Sequence, residues 1–321
     1  MKRLAGLLFS TLSIAAAAAI LFIVGPDKPG DTKTDPLNPF LWADAAESEN
    51  SETKFLEAAR LAPHQPAILI RVANFYVGRD DYRGALPYLR RVLSLTQAYN
   101  GIVFNYYLRA GVPLATLIPS EPKQSAAFLY HLMANQHPEA PTVWQSIDKA
   151  PKVDPDLARN WVNYQFSNRR YLDANAVWKK YGPFAEPSLL DWRYTPHDHV
   201  EVTRNPLTLR FDGTFNSDFR HVTRNYILPP GRYRLNVDWE SERISTNEGP
   251  FVQVADQALA PLLGTNPRMT NHVDFAISAA NPVAPVTIIR RPSMKFDNKI
   301  QGTLIIHKIE ITPLERGASA Q

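Results

Sequence analysis

Asp238, Glu240 and Glu242 recur at every second position. A β-strand turns that spacing into a row on one face. Neighbouring Cβ atoms in such a row lie about 7 Å apart, a separation that the two carboxylates of a glycosidase tolerate. Hydrolysis also needs one carboxyl group held protonated in an apolar pocket. Nothing in the sequence supplies that pocket, and Arg232 and Arg234 continue the same row. The chain has no G-x-S-x-G elbow, no phosphate-cradling glycine loop and no His/Glu metalloprotease motif. With no cysteine in 321 residues, a thiol nucleophile, disulfides and Cys-ligated zinc are excluded. The expectation is a protein that is not an enzyme, with no catalytic residue, metal or cofactor; a periplasmic glycan hydrolase is the alternative that the carboxylate row keeps open.

The same residues fit binding better. Arg232, Arg234, Asn236 and Asp238 present planar guanidinium and amide groups in one row, a chemistry suited to sugar hydroxyls or carboxylates. Together with Tyr226 they are the candidate glycan contacts. The competing reading is a solvated outer sheet face laced by cross-strand ion pairs. Trp192 and Trp239 have the flat faces on which a pyranose stacks, but both fall in the apolar phase of their segments and read as core; Tyr194 is less committed. In His197-Asp198-His199 two imidazoles share a face, which is half a zinc site, and the position after Pro196 favours a polar loop. His307 shares the phase of Ile305, Ile309 and Ile311 and reads as a core or edge histidine.

Two kinds of element must position these residues. Residues 40–185 read as helices. SETKFLEAARLAPHQP aligns with DYRGALPYLRRVLSL, so that Phe55 and Leu89, and Ala58 and Val92, stand 34 apart. Helices are expected over 67–76, 82–95 and 102–110, from an N-cap at Ser120 to about Gln136, and over 138–147, 155–166 and 171–181. Residues 186–313 change to a period of two, clearest in Tyr233, Leu235, Val237 and Trp239. Some eight short strands with turn chemistry at Pro229-Pro230-Gly231 and Asn247-Glu248-Gly249 point to an antiparallel β-sandwich, jelly-roll-like. Residues 314–321 read as a disordered tail.

Ahead of both lies Leu4–Val24, uncharged and apolar, preceded by Lys2-Arg3. Its 21 residues span roughly 31 Å as a helix, enough for a bilayer core of about 30 Å. The basic flank assigns the start to the cytoplasm and the rest to the far side, so residues 1–25 read as a signal-anchor. A cleaved signal peptide is the alternative, since Ala15–Ala19 offers an A-x-A site. Pro26–Pro39, with four prolines, reads as an extended tether. The net charge of +4 includes Lys2 and Arg3, and residues 186–321 carry equal numbers of basic and acidic side chains, so no domain is basic enough for nucleic acid.

The 34-residue period resembles the tetratricopeptide repeat, although Arg79 and Val92 depart from its small residues. Leu189-Leu190-Asp191-Trp192-Arg193, Leu207–Gly213 and Leu228–Leu235, in that order, resemble the carbohydrate-binding-like sandwich behind tetratricopeptide-type helices in bacterial envelope proteins associated with exopolysaccharide or O-antigen production. The resemblance implies a single-pass inner-membrane protein whose body lies in the periplasm. A helical array would bind a protein partner, and the sandwich would contact polysaccharide during its assembly or export. A purely structural scaffold that binds no sugar is the alternative.

Overall fold

The computed structural model describes residues 32–33, 35–296 and 298–314. The Leu4–Val24 stretch, half of the tether and the tail from Glu315 lie outside the described residues. No described helix is long and apolar enough to cross a membrane. The chain divides into two compact units, Met1–Pro151 and Lys152–Gln321.

The first unit is helical: α1 (Pro39–Glu49), α2 (Glu52–Leu61), α3 (Pro66–Val77), α4 (Tyr82–Leu95), α5 (Asn100–Arg109), α6 (Pro122–Ala134) and α7 (Ala140–Asp148). Proline opens α1, α3 and α6, where its missing N–H costs no helical bond. The cap of α6 is Glu121 rather than Ser120; its carboxylate accepts the N–H groups of Lys123 and Gln124 at 3.2 and 2.8 Å. Small residues let the first helices approach closely: Ala43, Ala46 and Ala58 are buried against Phe55, Ile68 and Val72. Phe104, Tyr107 and Phe128 interlock further along, with ring centroids 4.8–6.4 Å apart.

The described residues of the second unit start with two helices, α8 (Pro155–Ser167) and α9 (Tyr171–Tyr181), followed by ten strands. All strand pairings are antiparallel. One sheet has the order β1 (Arg193–Tyr194), β4 (Phe219–Ile227), β9 (Val283–Arg290), β6 (Phe251–Val254), β7 (Gln257–Ala258). The other runs β2 (Val200–Arg204), β3 (Leu207–Asp212), β10 (Gln301–Pro313), β5 (Gly231–Ser245), β8 (Gly264–Ile277). Residues of both sheets fill one core, among them Leu209, Leu235, Val237, Trp239 and Leu304 from the second and Val222, Val252, Val286 and Ile288 from the first.

Three differences from the sequence reading have identifiable causes. The helices over 155–181 form one compact unit with the sheets, whereas the composition shift placed the boundary at 185/186. Val162 and Ala174 pack on Leu190 and Ile227, and Asn163 Oδ1 accepts the Leu189 N–H at 2.8 Å. Trp192, which its phase puts in an alternating segment, precedes the strand: only Arg193–Tyr194 pairs, because Asp191 closes a turn with Ser188. In β10 the register shifts between Ile306 and Lys308, a β-bulge at His307. The inward phase is therefore Leu304 and Ile306 before the bulge and Ile309 and Ile311 after it, and His307 sits half-buried at the irregularity with Nε2 3.4 Å from Glu240.

Candidate functional site

The β5 row lies on the outward face of its sheet, and its charges are largely answered within the sheet. Arg234 donates to Asp274 of β8 at 2.7 and 3.0 Å. Arg268 donates from Nε to both Asp238 oxygens at 3.0 and 3.1 Å, which holds that carboxyl below the usual carboxylate range. Asn236 reaches Thr312 at 3.4 Å, and Arg232 stays exposed. Tyr226 is not with them: it lies half-buried on β4, in the other sheet. The five candidate contacts therefore do not form one constellation.

Two surface cavities of the second unit differ in chemistry. One, of about 890 Å³, is lined by His197, His199, Glu201, Arg210, Asp212 and Glu242 among others, so cations and anions alternate around it. The imidazole of His197 lies between those of His199 and His221, with centroids at 6.0 and 4.8 Å. Among the described residues no group of three or more His, Asp and Glu side chains is arranged to hold a metal ion. Burial, with repulsion from His221 and His199 adding to it, pushes the His197 pKa down. Its neutral form is thus favoured by folding, and this contribution is complete above the unfolded value of about 6.5 and lost as pH falls through the lower folded value. NMR titration is expected to give a His197 midpoint below 6.5, and unfolding free energy should decline on acidification below that pH. His197→Gln should flatten the decline; an unchanged slope in the variant would assign it to other groups.

The other cavity, of about 620 Å³, is aromatic and cationic. Trp178 of α9, Phe184 and Trp192 of the following segment, and Tyr194 of β1 line it beside Arg204 at the end of β2, Arg224 of β4 and Lys308 of β10. Pro183 and Pro206, each after a cis peptide bond, also face it. Its scaffold is a buried carboxylate: Asp191 accepts from Trp178 Nε1 at 2.8 Å and from the N–H and hydroxyl of Ser188 at 2.9 and 2.6 Å. Asn225 of β4 donates to Leu189 O at 2.8 Å and fastens the segment to the sheet. Asp191→Ala strands three donors, and we expect a loss of about 2–4 kcal/mol in chemical denaturation; a change below about 0.5 kcal/mol would mean that water replaces the carboxylate freely.

The two arginines of the cleft rest on rings rather than on carboxylates. The Arg224 guanidinium lies 5.2 Å from the Trp178 ring centroid and 4.6 Å from that of Tyr226, and Arg204 lies 4.9 Å from Tyr194. Among the described residues neither arginine forms an ion pair, and Arg224 Nε is buried without a hydrogen-bond partner. Lys308 is paired with Glu310 at 2.8 Å. The half-buried Trp192 indole has no ring or cation stacked on it among the described residues. Sequence reasoning missed this site because its parts come from six elements and segments between 178 and 308; Trp192 was noticed, but its alternation with charged neighbours pointed inward. Trp239, by contrast, is wholly buried, with its indole N–H on Asn271 Oδ1 at 2.7 Å.

No protein-family model and no curated protein matches the chain. Among solved structures it is similar over 38% of its length to the structure of TmCBM61 in complex with beta-1,4-galactotriose, of which 88% is covered, at 14% identity and a TM-score of 0.27.

Proposed function

We propose that the chain is a non-enzymatic adaptor of the bacterial envelope, anchored in the inner membrane by Leu4–Val24. In this reading its two-sheet body, a β-sandwich, contacts glycan in the periplasm and its helical unit binds a protein partner during surface-polysaccharide assembly or export. The carrying observation is the cleft around Trp192. An unstacked indole in a preformed aromatic cavity, rimmed by guanidinium donors, suits a pyranose, whose apolar C–H face packs on a ring while its hydroxyls take hydrogen bonds. A non-enzymatic role is supported by Asp238, whose carboxyl is held ionised by Arg268 instead of being raised into the range of a general acid.

The test is calorimetric titration of the full-length protein, in detergent, with oligosaccharides released from bacterial envelope polysaccharides. Binding that Trp192→Ala weakens about tenfold or more, in a variant whose circular dichroism shows the native fold, supports the cleft. Absence of binding at millimolar concentration across the panel would leave a protein scaffold that holds no sugar. Shortening of the oligosaccharides during the titration would instead favour hydrolysis.

A further inference from the structure

Sugar recognition by neutral glycans draws on paired carboxylates and amides as readily as on arginines, since hydroxyls both donate and accept. The Trp192 cleft is lopsided. Its one lining carboxylate, Asp191, is turned inward and filled by Trp178 and Ser188. Its two guanidinium groups, on Arg204 and Arg224, have no anion, and both are held in place by aromatic faces instead of by salt bridges. Arg224 is half-buried; its guanidinium also meets the Tyr226 side chain, but its buried Nε has no hydrogen-bond partner, so the desolvation of that donor is uncompensated. Pre-positioned, unpaired arginines in a partly dry cleft bind carboxylates by charge-assisted and often bidentate hydrogen bonds, which are roughly twice as strong as those to neutral acceptors. The β5 row is the contrast: it too has arginines, but Arg234 is already closed by Asp274.

Resting on the glycan reading above, we infer that the ligand of this cleft is an acidic saccharide, a pyranose chain bearing ring carboxylates of the uronate type. One sugar ring stacks on Trp192, and carboxylate groups meet Arg204 and Arg224.

The experiment pairs each acid with its neutral twin. Oligomers of galacturonate, glucuronate and mannuronate, and the same oligomers after carboxyl reduction, are titrated into the full-length protein. Variants are Arg204→Gln, Arg224→Gln and, on the β5 row, Arg232→Gln. At least one uronate should bind about tenfold or more tighter than its reduced form, and the difference should shrink with added salt. Arg204→Gln, at an exposed position, should bring the two forms close together, and Arg232→Gln should not. Equal affinity for acid and reduced form overturns the inference and leaves a neutral-glycan cleft. Acid binding abolished by Arg232→Gln but not by Arg204→Gln also overturns it. If no member of either series binds at millimolar concentration, the glycan reading of this cleft falls together with it.

Discussion

Replacing Arg290 with methionine is expected to destabilise the two-sheet unit by about 3–5 kcal/mol. Arg290 ends β9 and is completely buried, yet among the described residues no carboxylate hydrogen-bonds to it. Its guanidinium donates instead to neutral oxygens: Ser217 O at 2.6 Å, Asn216 Oδ1 and Asn298 O at 2.7 Å, Glu248 O at 3.3 Å and Thr246 Oγ1 at 3.4 Å. These acceptors belong to three separate loops, so one side chain ties together the β3–β4, β5–β6 and β9–β10 connections. Asn216 extends the tie by exchanging two 2.9 Å bonds with the backbone of Ser293. Methionine fills similar volume but leaves several buried carbonyls facing a thioether. The relief of burying one charge, which pushes the Arg290 pKa down, offsets only part of that cost. Arg290→Lys keeps the charge with three donors in place of five and should fall between. Urea denaturation followed by tryptophan fluorescence measures both; a loss below about 1 kcal/mol in the methionine variant would show that the loops do not depend on this residue.

Trp239→Ala should cost a comparable amount, about 3–5 kcal/mol, for a different reason. The indole is wholly buried in the core shared by both sheets, and truncation opens a cavity that the flanking strands of a paired sheet close only in part. Trp239→Phe separates the two contributions, keeping most of the volume and losing only the 2.7 Å bond to Asn271. Because Asn271 is half-exposed and can turn to water, the phenylalanine variant should lose only about 1 kcal/mol. Similar losses for both variants would place the weight on the hydrogen bond and contradict the packing argument.

The elements carried by a single strong period were legible. Tyr82–Leu95 and Tyr171–Tyr181 stand where the helical spacing puts them, and Tyr233, Leu235, Val237 and Trp239 form the inward row of β5. Boundaries and phases set by tertiary contacts were not. The bulge at His307 reverses the facing of β10 halfway along, so counting by two from either end misassigns the other half. Tyr226 looked like a neighbour of the β5 row because only four residues separate it from Gly231 and the turn, but that turn carries the chain from one sheet to the other. Arg290 was invisible for a deeper reason. Most of its acceptors are main-chain carbonyls, which every residue has, and the sequence around it shows only a cation at the end of an apolar run. The Trp192 cleft shares that difficulty: aromatic and arginine positions scattered over 130 residues have no spacing to detect.

The long strand β8 lies at the margin of its sheet, paired among the described residues only with β5, and so has an open hydrogen-bonding side along part of its fourteen residues. Such a margin invites a second molecule to add its own strand and to begin a fibril. Here Pro267 breaks the run of N–H donors, and Arg268, His272 and Asp274 bring charge or polarity to the same stretch. Those residues make this border a poor template for strand addition by a second copy.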